Sequence, residues 1–135
     1  MAQRSAGSAE GLLGPLEYEV MVALWTDAPA SVPTVLERVN TTRTADDQLA
    51  YTTVMTVLGR LHEKGLVERE RRGRGYDYTP VFAEDELVEH LSRREIADLL
   101  ERYGDVALAQ FAAALDGADE ELVERLRKVA GGGDA

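Results

Sequence analysis

Between Tyr51 and Pro80 the spacing of apolar residues changes once, at Gly65, and that change constrains the fold more than any other feature of the chain. Before it, Val54, Leu58 and Leu61 recur at i, i+4 and i+7, with Val57 beside them. This is the period of an amphipathic helix, and it predicts one from Tyr51 to about Lys64. After it, Leu66-Val67-Glu68-Arg69-Glu70-Arg71 is extended and increasingly polar, and Arg72-Gly73-Arg74-Gly75 is a turn. Tyr76-Asp77-Tyr78-Thr79-Pro80 then alternates aromatic with polar residues. The pattern predicts a β-hairpin with a glycine-rich tip, ended by Pro80. Gly65 stands where a helix takes a left-handed C-terminal cap, with apolar Leu66 following as in a Schellman ending.

Two further helices are expected upstream. Leu16, Val20, Ala23 and Leu24 form one apolar stripe, widened by Met21 and Trp25, with Pro15 suited to the first turn. Asp27-Ala28-Pro29 breaks it. Ser31 then serves as an N-cap, with Pro33 in the first turn and Val32, Val35, Leu36 and Val39 as the buried side. Asn40–Asp47 reads as a polar loop. Three helices followed by a hairpin is the order of a winged helix, in which the second and third helices make the helix-turn-helix and the hairpin is the wing.

Downstream, Leu87, Val88, Leu91, Ile96, Leu99, Leu100 and Tyr103 mark a long amphipathic helix from Glu84, broken by Gly104. An alanine-rich helix is expected over Val106–Leu115, broken by Gly117. Asp119 is placed to cap a third, with Leu122, Leu126 and Val129 on one side. The fold class expected is therefore mainly α with a small β-wing: a winged helix-turn-helix plus a C-terminal three-helix dimerisation region. The divisions are a flexible arm over 1–13, the DNA-binding winged helix over 14–82, the helical region over 83–130 and a disordered tail over 131–135. Three short apolar stripes cannot all be buried within about fifty residues. A second copy of the chain is the expected cover, through Leu99, Leu100, Tyr103, Leu108, Phe111, Leu115, Leu122 and Leu126.

The net charge of −10 is unevenly spread. Residues 1–80 carry nine basic and eleven acidic side chains, and residues 81–135 carry six and fourteen. Residues 60–74 are locally basic, with Arg60, Lys64, Arg69, Arg71, Arg72 and Arg74 against three glutamates. Such asymmetry points to divided labour, with DNA contact confined to the first part. The polar side of the 51–64 helix carries Thr52, Thr53, Met55, Thr56, Gly59, Arg60 and Glu63, and of the helix Tyr51, Thr52, Thr53, Met55, Thr56 and Arg60 are the candidate DNA contacts. Small hydroxyl side chains let a helix lie close to base edges, and threonine methyls suit thymine methyls. Arg60 can pair with phosphate or guanine, and Arg72 and Arg74 flank Gly73 at the wing tip, within reach of phosphates. Double-stranded DNA is thus the expected partner. A winged helix used only as a protein-interaction module is the competing reading. The two differ in whether binding prefers an inverted repeat and falls steeply with salt.

Other classes are excluded or unsupported. The chain has no cysteine, which removes disulfides, Cys-based zinc sites and thiol catalysis. No apolar run approaches the length of a membrane span, and residues 1–10 hold no apolar signal core, so the cytoplasm is the expected compartment. His62 and His90 are the only histidines. His90 with Glu86, Glu89 and Glu95 has the residue types of a metal corner, but an acidic helix face is the simpler reading. No catalytic constellation, metal site or cofactor site is expected.

The chain resembles the BlaI/MecI penicillinase-repressor family. The resemblance is carried by Leu16-Glu17-Tyr18-Glu19-Val20-Met21 with Leu24-Trp25, by Tyr51-Thr52-Thr53-Val54-Met55-Thr56-Val57-Leu58-Gly59-Arg60-Leu61, by Lys64-Gly65-Leu66-Val67 and by Tyr78-Thr79-Pro80. It covers roughly residues 14–130. It implies a homodimeric repressor that reads short inverted repeats of TACA/TGTA half-sites. It also implies inactivation by a membrane-bound sensor metallopeptidase responding to β-lactam, with the cut matching Gln110–Phe111. Gln110 stands where family members carry Asn, and Ala50-Tyr51 replaces a Ser-Pro pair, so no side-chain N-cap is available there. The cysteine cluster of the copper-responsive relatives is absent.

Overall fold

A computed structural model describes residues 7–117 and 120–132. Helix α1 (Ala9–Leu12) is a single turn, capped by the Ser8 side chain accepting from Gly11 N–H. Helix α2 (Pro15–Thr26) starts at Gly14, whose N–H donates to Glu17 Oε1 at 3.2 Å, and strand β1 (Ala30–Ser31) follows. Helix α3 (Val32–Thr41) carries the expected Ser31 cap and Pro33 in its first turn. A 3₁₀ turn at Ala45–Asp47 leads to helix α4 (Tyr51–Glu63). Gly65 takes the left-handed conformation, φ +76°, and Leu66 N–H returns to Leu61 O at 2.9 Å, closing the helix as the Gly65-Leu66 pair predicts.

Strands β2 (Val67–Arg72) and β3 (Gly75–Pro80) form the hairpin, in register from Val67 opposite Pro80 to Arg72 opposite Gly75. Only Gly73 and Arg74 lie between them. Gly73 has φ +61°, the positive value that a type II′ turn needs at its first central position. Strand β1 adds to the other side of β3, giving an antiparallel sheet in the order β1-β3-β2.

The α2, α3 and α4 stripes meet in one core. Val20, Met21 and Leu24 pack with Val35 and Val39, with Val54, Val57, Leu58 and Leu61, and with Leu66, Val67 and Tyr78 from the sheet. The chain is a winged helix. Helix α5 (Glu84–Tyr103) begins on this frame: Leu87 is buried in the same core, and Trp25 Nε1–H donates to Phe82 O at 2.9 Å just before the helix. The chain divides into two units, Met1–Leu91 and Ser92–Ala135. The second holds the remainder of α5, helix α6 (Asp105–Asp116) and helix α7 (Glu120–Gly132). Gly104, at φ +56°, separates α5 from α6.

Three details differ from the sequence reading. Part of the expected arm is structured, because Ala9 is buried and Leu13 belongs to the core. A four-residue helix among glycines has no periodic signature, yet an apolar residue beside it finds the core. Strand β1 is an addition for a related reason: two residues carry no period, and only pairing with β3 makes them a strand. Gly131 and Gly132 continue α7 rather than belonging to a tail. The cap expected at Asp119 falls outside the described residues, as do residues 1–6 of the arm and 133–135 of the tail.

Candidate nucleic-acid interface

Helix α4 presents one side to the core and the other to solvent, and the loop before it is pinned at two points. Asn40 bridges the loop with its side-chain amide: its Nδ2 donates to Leu49 O at 3.1 Å, and its Oδ1 accepts from Leu49 N–H at 2.8 Å. Arg43 donates from Nε to Glu19 Oε1 and from Nη1 to Asp47 Oδ2, each at 3.1 Å. The hydrogen bonds that Arg43 donates to Glu19 raise its pKa, against the opposing effect of burial, so the guanidinium stays charged. Together these bonds tie α2, the end of α3 and the loop to the start of α4. At the far end, Lys64 Nζ meets Glu17 Oε2 at 2.8 Å.

The side of α4 facing solvent is the one the sequence predicts. Tyr51 and Met55 are 47% and 46% exposed, and Thr52, Thr56 and Arg60 are exposed. Thr53 is half-buried. Ala50 is the N-cap without a side-chain bond, and its carbonyl accepts from Thr53 and Val54 N–H. Gly59 lies along the same side, and a Cβ added there would meet no atom of the described chain within 4 Å. The helix therefore offers hydroxyls, methyls, a thioether and one guanidinium on a shallow surface. Those groups suit the floor of a major groove.

The hairpin register sorts its charges by face. Val67, Arg69 and Arg71 lie opposite Pro80, Tyr78 and Tyr76 on the face whose base is buried with α4 in the core. The Arg69 guanidinium sits 4.3 Å above the Tyr76 ring, a contact worth about 0.5–1 kcal/mol at an exposed site. Glu68, Glu70 and Arg72 lie opposite Thr79, Asp77 and Gly75 on the other face. There Arg72 Nη1 pairs with Asp77 Oδ2 at 3.1 Å. Arg74 is exposed at the tip.

The sequence pattern of the penicillinase repressor family matches residues 13–131. The chain belongs to the penicillinase repressor family. It is 41% identical over 113 residues to the transcriptional regulator BlaI of Mycobacterium tuberculosis, in both the CDC 1551 and H37Rv strains, covering 80% of this chain and 76% of the relative. Among solved structures, it is similar to the DNA-binding domain of the repressor BlaI, at 27% identity and TM-score 0.47, over 55% of this chain and 85% of that one. It is also similar to monomeric Bacillus licheniformis BlaI in complex with the blaP half-operator, at 27% identity and TM-score 0.45, again over 55% and 85%. Membership identifies this repressor-family chain as a transcriptional regulator and not an enzyme.

The remaining expected sites lie in the second unit. Leu99, Leu100, Tyr103, Leu108, Phe111, Leu122 and Leu126 are exposed, and Leu115 is half-buried. Gln110 and Phe111 both sit inside α6, and Phe111 is 59% exposed. His90 stacks on Phe82 with centroids 4.4 Å apart, so its ring is a packing surface at the start of α5. No group of three or more His, Asp or Glu residues among the described residues is placed to hold a metal ion. No helix of the described residues is long and apolar enough to cross a membrane. The sequence reading missed Asn40 and Arg43, which set the entry to α4, and it did not separate Arg71 from Arg72. The two-residue hairpin loop was the available signal for the latter, since it fixes the register and hence the face of every wing residue.

Proposed function

We propose that this member of the penicillinase repressor family is a homodimeric, sequence-specific DNA-binding repressor acting in the cytoplasm. The observation that carries the reading is the exposed side of α4, a hydroxyl-rich surface on a pinned helix within a winged-helix frame. Tyr51, Thr52, Thr53, Met55, Thr56 and Arg60 read base edges and the flanking backbone, and the arginine-bearing hairpin meets phosphates. The operator is an inverted repeat of TACA/TGTA-type half-sites, which the resemblance implies and a two-fold dimer matches.

Support for the dimer comes from the second unit. Ile96, Leu99, Leu100, Tyr103, Phe111 and Val129 are all exposed there, and large exposed apolar surface is what a second copy of the chain would cover. Release from DNA is by proteolysis between Gln110 and Phe111, catalysed by a membrane-bound sensor metallopeptidase. Both residues are helical, so cleavage requires α6 to open locally first. The test of the DNA reading is a gel shift at fixed salt, comparing a TACA/TGTA inverted repeat with a scrambled duplex of equal length. Preference for the repeat is expected. Equal affinity for the two sinks sequence-specific reading.

A further inference from the structure

We propose that the wing is electrostatically two-sided and grips the duplex backbone with Arg71, while Arg72 is held in a surface pair with Asp77 on the opposite face. This rests on the DNA-binding reading and names the residue through which the wing carries it out.

The register places Arg69 and Arg71 on the hairpin face that continues from buried Val67 and Tyr78. Helix α4 packs against the base of that same face, through Val54, Val57, Leu58 and Leu61. Beyond the core edge, this face looks to the side on which α4 lies. A duplex seated along α4 meets it first. Its charged residues are both positive.

The opposite face carries Glu68, Glu70 and Asp77 against the single cation Arg72. Arg72 is already engaged there, 3.1 Å from Asp77, and Glu70 is the cross-strand partner of Asp77. Turning this face to phosphates would bring three carboxylates against like charge and break an existing pair. Arg69 is held over the Tyr76 ring, so of the two cations on this face Arg71, next to exposed Arg74 at the tip, is the one with an open approach. A count of arginines along the chain treats positions 71 and 72 alike; the alternation of the strand makes them opposites.

The experiment measures affinity of the full-length protein for the inverted-repeat duplex over a range of salt, for wild type, Arg71→Ala, Arg71→Lys and Arg72→Ala. All three substitutions are at exposed positions, and far-UV circular dichroism checks that each variant folds. Losing one phosphate contact makes the plot of log affinity against log salt shallower by about 1 per bound chain. Arg71→Ala is expected to show that change, Arg71→Lys to keep the wild-type slope because it keeps the charge, and Arg72→Ala to keep it as well. If the wild type binds with a salt slope but Arg72→Ala flattens it as much as Arg71→Ala or more, the two-sided wing is overturned and the DNA reading stands. The same holds if Arg71→Ala leaves the slope unchanged. A wild type that binds neither this duplex nor a scrambled one overturns both.

Discussion

Single residues separate what the fold needs from what the surface is used for, and Gly59 shows the difference. It sits inside α4, where glycine costs helix stability because the unfolded backbone is freer. Nothing in the described chain needs the missing side chain, since a Cβ would enter open space. Gly59→Ala is therefore expected to stabilise the protein by about 0.5–1 kcal/mol, read as a higher Tm in thermal unfolding. An unchanged or lowered Tm would mean that the position has an intramolecular role. The residues of α4 were legible from sequence because burial there follows a strict period, and each exposed side chain sits where the period puts it. Arg43 was not legible. Inside Asn40–Asp47 it reads as one more solvated charge, and only the fold brings Glu19, from α2, beside it.

At the scale of elements, what matters is how α4 is held. The turn of the helix-turn-helix is fixed by the Asn40 amide acting as a backbone surrogate for Leu49. Asn40→Ala leaves a half-buried N–H and C=O without partners, which costs on the order of 1–3 kcal/mol. The expected outcome is a lowered Tm, with Asn40→Asp falling between wild type and alanine because it can still accept from Leu49 N–H. Equal melting of all three would show that water replaces the clasp without loss. Such a clasp is invisible in sequence, because an asparagine at the end of a helix is common and its partner is nine residues away. The hairpin, by contrast, was plain in the sequence: its glycines, alternation and terminal proline are local signals that agree with one another. Strand β1 lay beyond reach because its only reason to exist is β3.

For the whole molecule, the two units differ in how they treat apolar side chains. The first buries its stripes in one core; in the second, among the described residues, most of the large apolar side chains remain exposed. The sequence foretold the stripes and the helices but not their burial, since periodicity identifies an apolar side without saying what covers it. Truncation after Arg102 removes α6 and α7 and is expected to give a monomer in sedimentation velocity, with weakened binding to an inverted repeat. A truncated protein that still sediments as a dimer would place the pairing surface elsewhere.

The hairpin has one more consequence. Its six cross-strand pairs leave two residues at the bend and no slack. From the anchor at Val67 to Arg72 there are five strand steps, a span of ~17 Å at about 3.3 Å each. The wing is thus a calliper of set opening: how far from α4 it touches a partner is decided by the length of two strands, and the partner's contour must conform to it.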